Sequence, residues 1–203
     1  LFAAGGIVML PLLGFSLLAV ALILERGFFW LRVLKRQESI VQQALALYKQ
    51  NPQAVLPLLV QNADLPMARI FLTALELDCP SPEDFRLALE SSSQAELPVM
   101  RRFNTVFDTI IAVSPLLGLL GTVLGLIQSF SALRVGDVGG SDSVGVTAGI
   151  SEALISTAAG LIVAIFTLLF ANLFRSFYQT QRALIQKYGG KLELLYRSQD
   201  QSL

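Results

Sequence analysis

Residues Gly149–Phe174 read GISEALISTAAGLIVAIFTLLFANLF. From Ala153 to Phe174 the stretch carries no charge, and at about 1.5 Å of rise per residue a helix of this length crosses a ~30 Å hydrocarbon core. Its acid, Glu152, stands just ahead of that run, close to Ser156 and Thr157. A carboxylate at the bilayer centre costs on the order of 2.5–3.5 kcal/mol on insertion scales, and less toward the surface. Two readings of Glu152 therefore stand. In one it lies near the outer interface, stabilises the positive end of the helix dipole and reaches water. In the other it lines a polar passage inside an assembly, where desolvation favours the protonated acid. Ser156 falls on the same face one turn inward. Thr157 lies about 140° round an ideal helix from Glu152, so it shares a lumen with it only where the polar face is wide or the helix distorts; otherwise it faces a neighbouring helix.

Two more stretches, Leu1–Leu24 and Thr109–Leu133, are also uncharged, which makes three expected transmembrane helices. The composition agrees: 54% of the 203 residues are hydrophobic and 15% charged, with a mean hydropathy of +0.63, greasier than an average soluble domain. The first stretch reads as a span and not as a secretory signal. It lacks a basic leader, exceeds a typical signal core in length and runs into ERGFFWLRVLKR without a small-residue cleavage site. Lysine and arginine set the orientation. Arg26, Arg32, Lys35 and Arg36 follow the first span, Arg101 and Arg102 precede the second, and five more follow the third, against Arg134 alone on the other side. The positive-inside rule then places the N-terminus outside and the C-terminus inside, with Trp30, Phe28 and Phe29 as an aromatic belt at the inner face.

The zero formal net charge removes the case for a nucleic-acid binder built on a basic face. With no histidine and a single cysteine, Cys79, the chain offers no ordinary metal ligand set, no internal disulfide and no Ser-His or Cys-His catalysis. No enzyme is expected.

The organisation that follows is all-α: residues 1–35 as the first span and inner interface, 36–107 as a cytoplasmic helical domain, 108–133 as the second span, 134–147 as a short glycine-rich outer loop, 148–174 as the third span and 175–203 as a cytoplasmic helix. In the cytoplasmic domain NPQ, DLP and CPSPED punctuate short apolar-periodic pieces such as SIVQQALALY and MARIFLTALEL. Ser81 reads as an N-cap with Pro82 at the first helical position; that helix is expected to continue into the second span with a kink near Pro98. Pro11 and Pro115 are expected to bend the first and second spans, and Gly189-Gly190 to break the last helix.

In SPLLGLLGTVLGLIQSFSAL, residues 114–133, Ser114, Gly118, Thr122, Gly125 and Ser129 recur at steps of 4, 4, 3 and 4, one stripe of a helix. Small residues let backbones approach closely in lipid, so Ser114, Gly118 and Gly125, with Gly121 and Gly160, are packing candidates. Thr122 either bonds its own helix or faces something polar. Thr122 and Thr157 come out at similar depth on antiparallel spans, with Glu152 about one turn nearer the outside. Glu25 and Asp108, at inner ends of spans, and Asn172 are weaker polar candidates.

SPLLGLLGTVLGLIQSF followed by GISEALISTAAGLIVAI resembles the MotA/TolQ/ExbB proton-channel family, in its three-span ExbB and TolQ branch; MotA proper has four spans. The likeness is close in the second and third spans and extends elsewhere as layout. Ser114 stands where members often have Ala, and the outer N-terminal segment is shorter than in the longest ExbB type. The resemblance implies a homopentamer in the inner membrane whose second and third spans line a central pore. It implies an ExbD- or TolR-like single-span partner in that pore, and a TonB-like or TolA-like transducer that receives the work. The family's pore threonine matches Thr122, and its third-span glutamate and threonine match Glu152 and Thr157; Ser156 joins them as a candidate. No cofactor is implied, because the proton is the fuel. A TolQ-like role in Tol–Pal envelope maintenance and a non-conducting helical scaffold are the alternatives. A secondary transporter is disfavoured by three spans without an inverted repeat.

Overall fold

The computed structural model describes residues 6–78, 80–135 and 142–200. Cys79 and residues 136–141 of the expected outer loop lie outside the described residues; the rest of that loop is helix, 134–135 in the second long helix and 142–147 in the third. The elements are α1 (Met9–Gln50), a 3-10 turn (Pro52–Ala54), α2 (Val55–Gln61), α3 (Pro66–Leu75), α4 (Pro82–Met100), α5 (Asn104–Val135) and α6 (Asp142–Asp200). No strand occurs among the described residues. Three helical stretches, carried by α1, α5 and α6, are long and apolar enough to cross a membrane. The chain divides into two compact units, one of Leu1–Glu25 and Phe103–Leu173, the other of Arg26–Arg102 and Phe174–Leu203.

The first unit holds the apolar runs. Its buried side chains at the start of α1, Val8, Met9 and Leu12, pack with Leu117 of α5 and Ala159 of α6. Pro11 falls in the first turn of α1, where the backbone N–H has no intrahelical partner to lose; the bend expected there has no broken hydrogen bond behind it. Pro115 lies within α5.

The second unit is built on amphipathic helices. α3 buries Met67, Ile70, Phe71 and Ala74, a helical spacing, and packs on α4 and α2. Its start follows the DLP signal, with Leu65 extended at the N-cap and Pro66 first in the helix. α4 begins as expected: the Ser81 hydroxyl accepts the Asp84 amide at 3.2 Å and donates to the Asp84 carboxylate at 2.7 Å, a reciprocal cap worth about 1 kcal/mol. Arg69 of α3 grips Glu96 of α4 through Nε at 2.6 Å and Nη2 at 2.5 Å. That hydrogen-bonded carboxylate raises the Arg69 pKa above its ordinary value, against the opposing effect of burial. Deep in the unit the Gln37 amide donates to the Gln181 carbonyl oxygen at 2.6 Å. Burial, and then Tyr196, push the Tyr48 hydroxyl up to about 12.

Four expectations are corrected. The SIVQQALALY piece is no separate helix; α1 runs unbroken to Gln50, because Val41, Ala44, Leu45 and Tyr48 continue its buried face. Between α4 and the second span the interruption falls beyond Pro98, at Phe103, which takes a left-handed φ of 68°. Gly189-Gly190 does not break α6. Two glycines cost the helix about 1 kcal/mol each, and Ile185, Tyr188 and Leu192, buried on either side of the pair, offset that cost. Trp30 is not part of an exposed aromatic belt: it is 1% exposed, packed against Phe29 at 5.3 Å and Phe177 at 5.8 Å between ring centroids, while Phe28 stays exposed. An indole has enough apolar surface to serve as core or as interface, and only tertiary packing distinguishes them.

Candidate functional site

α5 and α6 lie together through small residues. A β-carbon added to Gly118 would fall 3.0 Å from both the Ser156 carbonyl oxygen and Thr157 Cα, and one on Gly125 would fall 2.8 Å from the Gly149 carbonyl oxygen. One on Gly160 would run into the Ser114 carbonyl oxygen, and one on Gly121 into the Ser156 hydroxyl. The register is antiparallel, with 114 opposite 160, 118 opposite 156–157, and 125 opposite 149–153. Backbone-to-backbone approach of this kind is how helices associate where no hydrophobic force drives them together.

The stripe on α5 differs from the expected one by a residue. Ser114, Gly118, Gly121, Gly125 and Ser129 are buried, and Thr122 is half-buried. Two steps of four turn about 80° away from Ser114, whereas a four and a three return to within about 20°. The seam therefore takes Gly121, and Thr122 stands at its edge. Its hydroxyl donates to the Leu119 carbonyl of its own helix at 2.6 Å.

On α6 the two hydroxyls converge. Thr157 donates to the Gly118 carbonyl oxygen at 3.1 Å. Ser156, 0% exposed, is placed to donate to its own Ala153 carbonyl at 2.8 Å or to the same Gly118 oxygen at 3.3 Å. Ser114 is likewise sealed, its hydroxyl without a hydrogen-bond partner. Glu152 and Thr157 are half-buried. Thus the structure brings Ser156 and Thr157 onto one carbonyl of α5, leaves Thr122 at the rim of the seam, and puts Ser156 inside it. Glu25, Asp108 and Asn172 occupy exposed positions in the same unit. Among the described residues no cluster of His, Cys, Asp and Glu is grouped to hold a metal.

Sequence reasoning missed two partners. A β-carbon on Gly149 would meet Ser129 and the Gly125 carbonyl, and its spacing of four from Ala153 was a usable signal. Gly6, ahead of α1, lies against the Glu152 carboxylate, a long-range proximity that no local pattern carries.

The arrangement pairs a close-packed seam with polar groups at its margin, in a chain with three membrane-length helices. The family model described as MotA/TolQ/ExbB proton channel family matches residues 62–187. Putative biopolymer transport protein ExbB-like 3 of Synechocystis sp. is 62% identical over 194 residues, 96% of this chain and 92% of that protein. Putative biopolymer transport protein ExbB-like 1 of the same organism is 42% identical, over 97% of this chain and 78% of that protein. Biopolymer transport protein ExbB of Salmonella typhimurium is 35% identical over 104 residues, covering 51% of this chain and 41% of that protein. The chain, a multi-pass membrane protein, belongs to the MotA/TolQ/ExbB proton channel family.

Proposed function

We propose that this chain is a proton-conducting stator subunit in which Glu152, Thr122 and Thr157 border the path of the proton. The observation that carries the reading is the division of labour on the α5–α6 pair: glycines and Ser156 fill the seam, while Thr122, Thr157 and Glu152 remain half-buried at its margin. The Thr122 and Thr157 hydroxyls already donate to the Leu119 and Gly118 carbonyls and keep lone pairs with which to accept, but a half-buried carboxylate in the membrane is costly unless something polar completes its surroundings. A pore supplies that. The assembly in this reading is a homopentamer in the bacterial inner membrane, N-terminus outside and C-terminus inside, with an ExbD- or TolR-like single-span protein in the central pore.

Each proton crossing contributes about 2.3 kcal/mol per 100 mV of membrane potential, so no cofactor is needed as an energy source. The partner's carboxylate is hydrated, protonated and released against the ring of polar groups. The resulting motion is passed to a TonB-like transducer for transport across the outer membrane. A TolQ-like subunit with a TolA-like transducer would use the same polar groups.

The test is Glu152→Gln in cells that depend on this chain for energised outer-membrane uptake, with the mass of the purified complex measured in parallel. Loss of uptake with an unchanged assembly supports the reading. Full uptake by the variant contradicts it.

A further inference from the structure

Gly6 stands ahead of α1 with φ +70°, in the left-handed region where a β-carbon is disfavoured. Its carbonyl oxygen accepts the Met9 amide at 3.1 Å, and the Ile7 carbonyl accepts that of Leu10 at 3.4 Å, so the chain turns directly into the helix. A β-carbon on Gly6 would overlap Glu152 Oε1 and lie 2.9 Å from its Cδ and 3.4 Å from its Cγ. The carboxylate thus occupies the volume that any other residue at this position would fill.

Two further observations make this a seat and not a chance approach. Val8 and Met9, next in the chain, are buried against α5 and α6, which fixes the turn to the same helix pair that carries Glu152. α1 also has no acid in its own first turn. Glu152 therefore places an acidic side chain at this helix start, the positive end of its dipole, although the Met9, Leu10 and Leu12 amides are already bonded within the turn.

We propose that Gly6 is a positioning residue for Glu152, and that the turn at the head of α1 fixes the height and direction of the carboxylate on α6. The proposal rests on the reading of Glu152 as part of the proton path. It assigns α1 a direct part at the site, through its backbone start. An alanine at position 6 adds the strain of a left-handed φ, and its β-carbon meets only the far end of a flexible side chain, so the carboxylate moves aside.

The test uses the full chain in lipid vesicles. The infrared carboxyl and carboxylate bands of Glu152 are assigned by their disappearance in Glu152→Gln, then followed in Gly6→Ala and, as a control, in Gly14→Ala, where an added β-carbon meets nothing within 4 Å. The expected result is a displaced Glu152 band in Gly6→Ala and an unchanged one in Gly14→Ala. Energised uptake should fall on the order of tenfold or more, since ångström-scale misplacement of a reacting group is worth up to about a hundredfold. In a Glu152→Gln background Gly6→Ala should remove nothing further. Should Gly6→Ala fail to assemble, Gly6→Asn, which tolerates a left-handed backbone, carries the same expectations. An unshifted band in a folded variant overturns the positioning role and leaves the functional reading intact. Full uptake by Glu152→Gln overturns the functional reading, while the band still reports whether Gly6 seats the carboxylate.

Discussion

The Thr157 hydroxyl of α6 donates to the Gly118 carbonyl oxygen of α5 at 3.1 Å, at the place where a side chain on Gly118 would strike the Thr157 backbone. Close approach and hydrogen bond are therefore one feature. The absence of a β-carbon on α5 lets the hydroxyl of α6 reach a carbonyl that already serves its own helix through a second lone pair.

Gly160→Ala should destabilise the fold by about 1–3 kcal/mol, the cost of overpacking a filled site, because its β-carbon meets the Ser114 carbonyl and the Gly118 backbone. Backbone atoms cannot turn aside as a side-chain tip can. Gly189→Ala has open space at the same position and should stabilise α6 by up to about 1 kcal/mol. Reversible unfolding of the purified protein in mixed micelles measures both. Equal effects of the two substitutions would contradict the close seam.

Thr157→Val removes the hydroxyl and keeps the shape. Interhelical hydrogen bonds in membranes average about 0.6 kcal/mol and reach about 1.7, so the stability loss should stay within that range. Energised uptake should nonetheless be lost, and Thr157→Ser, which keeps a donor, should retain most of it. A variant that loses uptake only in proportion to its stability would assign Thr157 to packing alone.

The three spans were legible because an uncharged run of helical length has few alternative readings in a chain this apolar. The seam was legible in outline, from Ser114, Gly118, Gly125 and Ser129, but Gly121 and Thr122 are adjacent and a stripe of threes and fours can pass through either. Which one enters the seam depends on the drift of the helix against its partner. Gly6 was invisible because its neighbour is far along the chain. Trp30 and the Gly189-Gly190 pair were misread for a related reason: local chemistry permits both outcomes, and burial in the second unit selects one.

In the second unit, Glu96→Gln weakens a two-point grip on Arg69 in which Glu96 is mostly buried and Arg69 about one-third exposed. The loss should be about 1–2 kcal/mol, between the values for surface and buried pairs. Chemical denaturation of the full chain, followed by the helical circular dichroism signal, would detect it. Arg69→Lys should lose nearly as much, because an ammonium cannot match both carboxylate oxygens.

Alkaline conditions should single out Tyr48, which lies outside the membrane-spanning stretch. Its hydroxyl stays protonated in the fold up to about pH 12, whereas an unfolded tyrosine ionises near pH 10. Above about pH 10 the unfolded chain therefore holds fewer protons than the folded one. The contribution of Tyr48 is complete below that pH and is lost as pH rises toward 12. Tyr48→Phe should flatten the decline in stability between those values. An identical decline in the variant would place its origin elsewhere.

The most direct measurement is proton flux into vesicles carrying this chain together with the proposed ExbD- or TolR-like single-span protein, driven by an imposed membrane potential. Wild-type protein should carry a flux that Glu152→Gln abolishes while the mass of the complex stays the same. Undiminished flux through the Glu152→Gln complex would contradict a proton path along this edge of the α5–α6 pair.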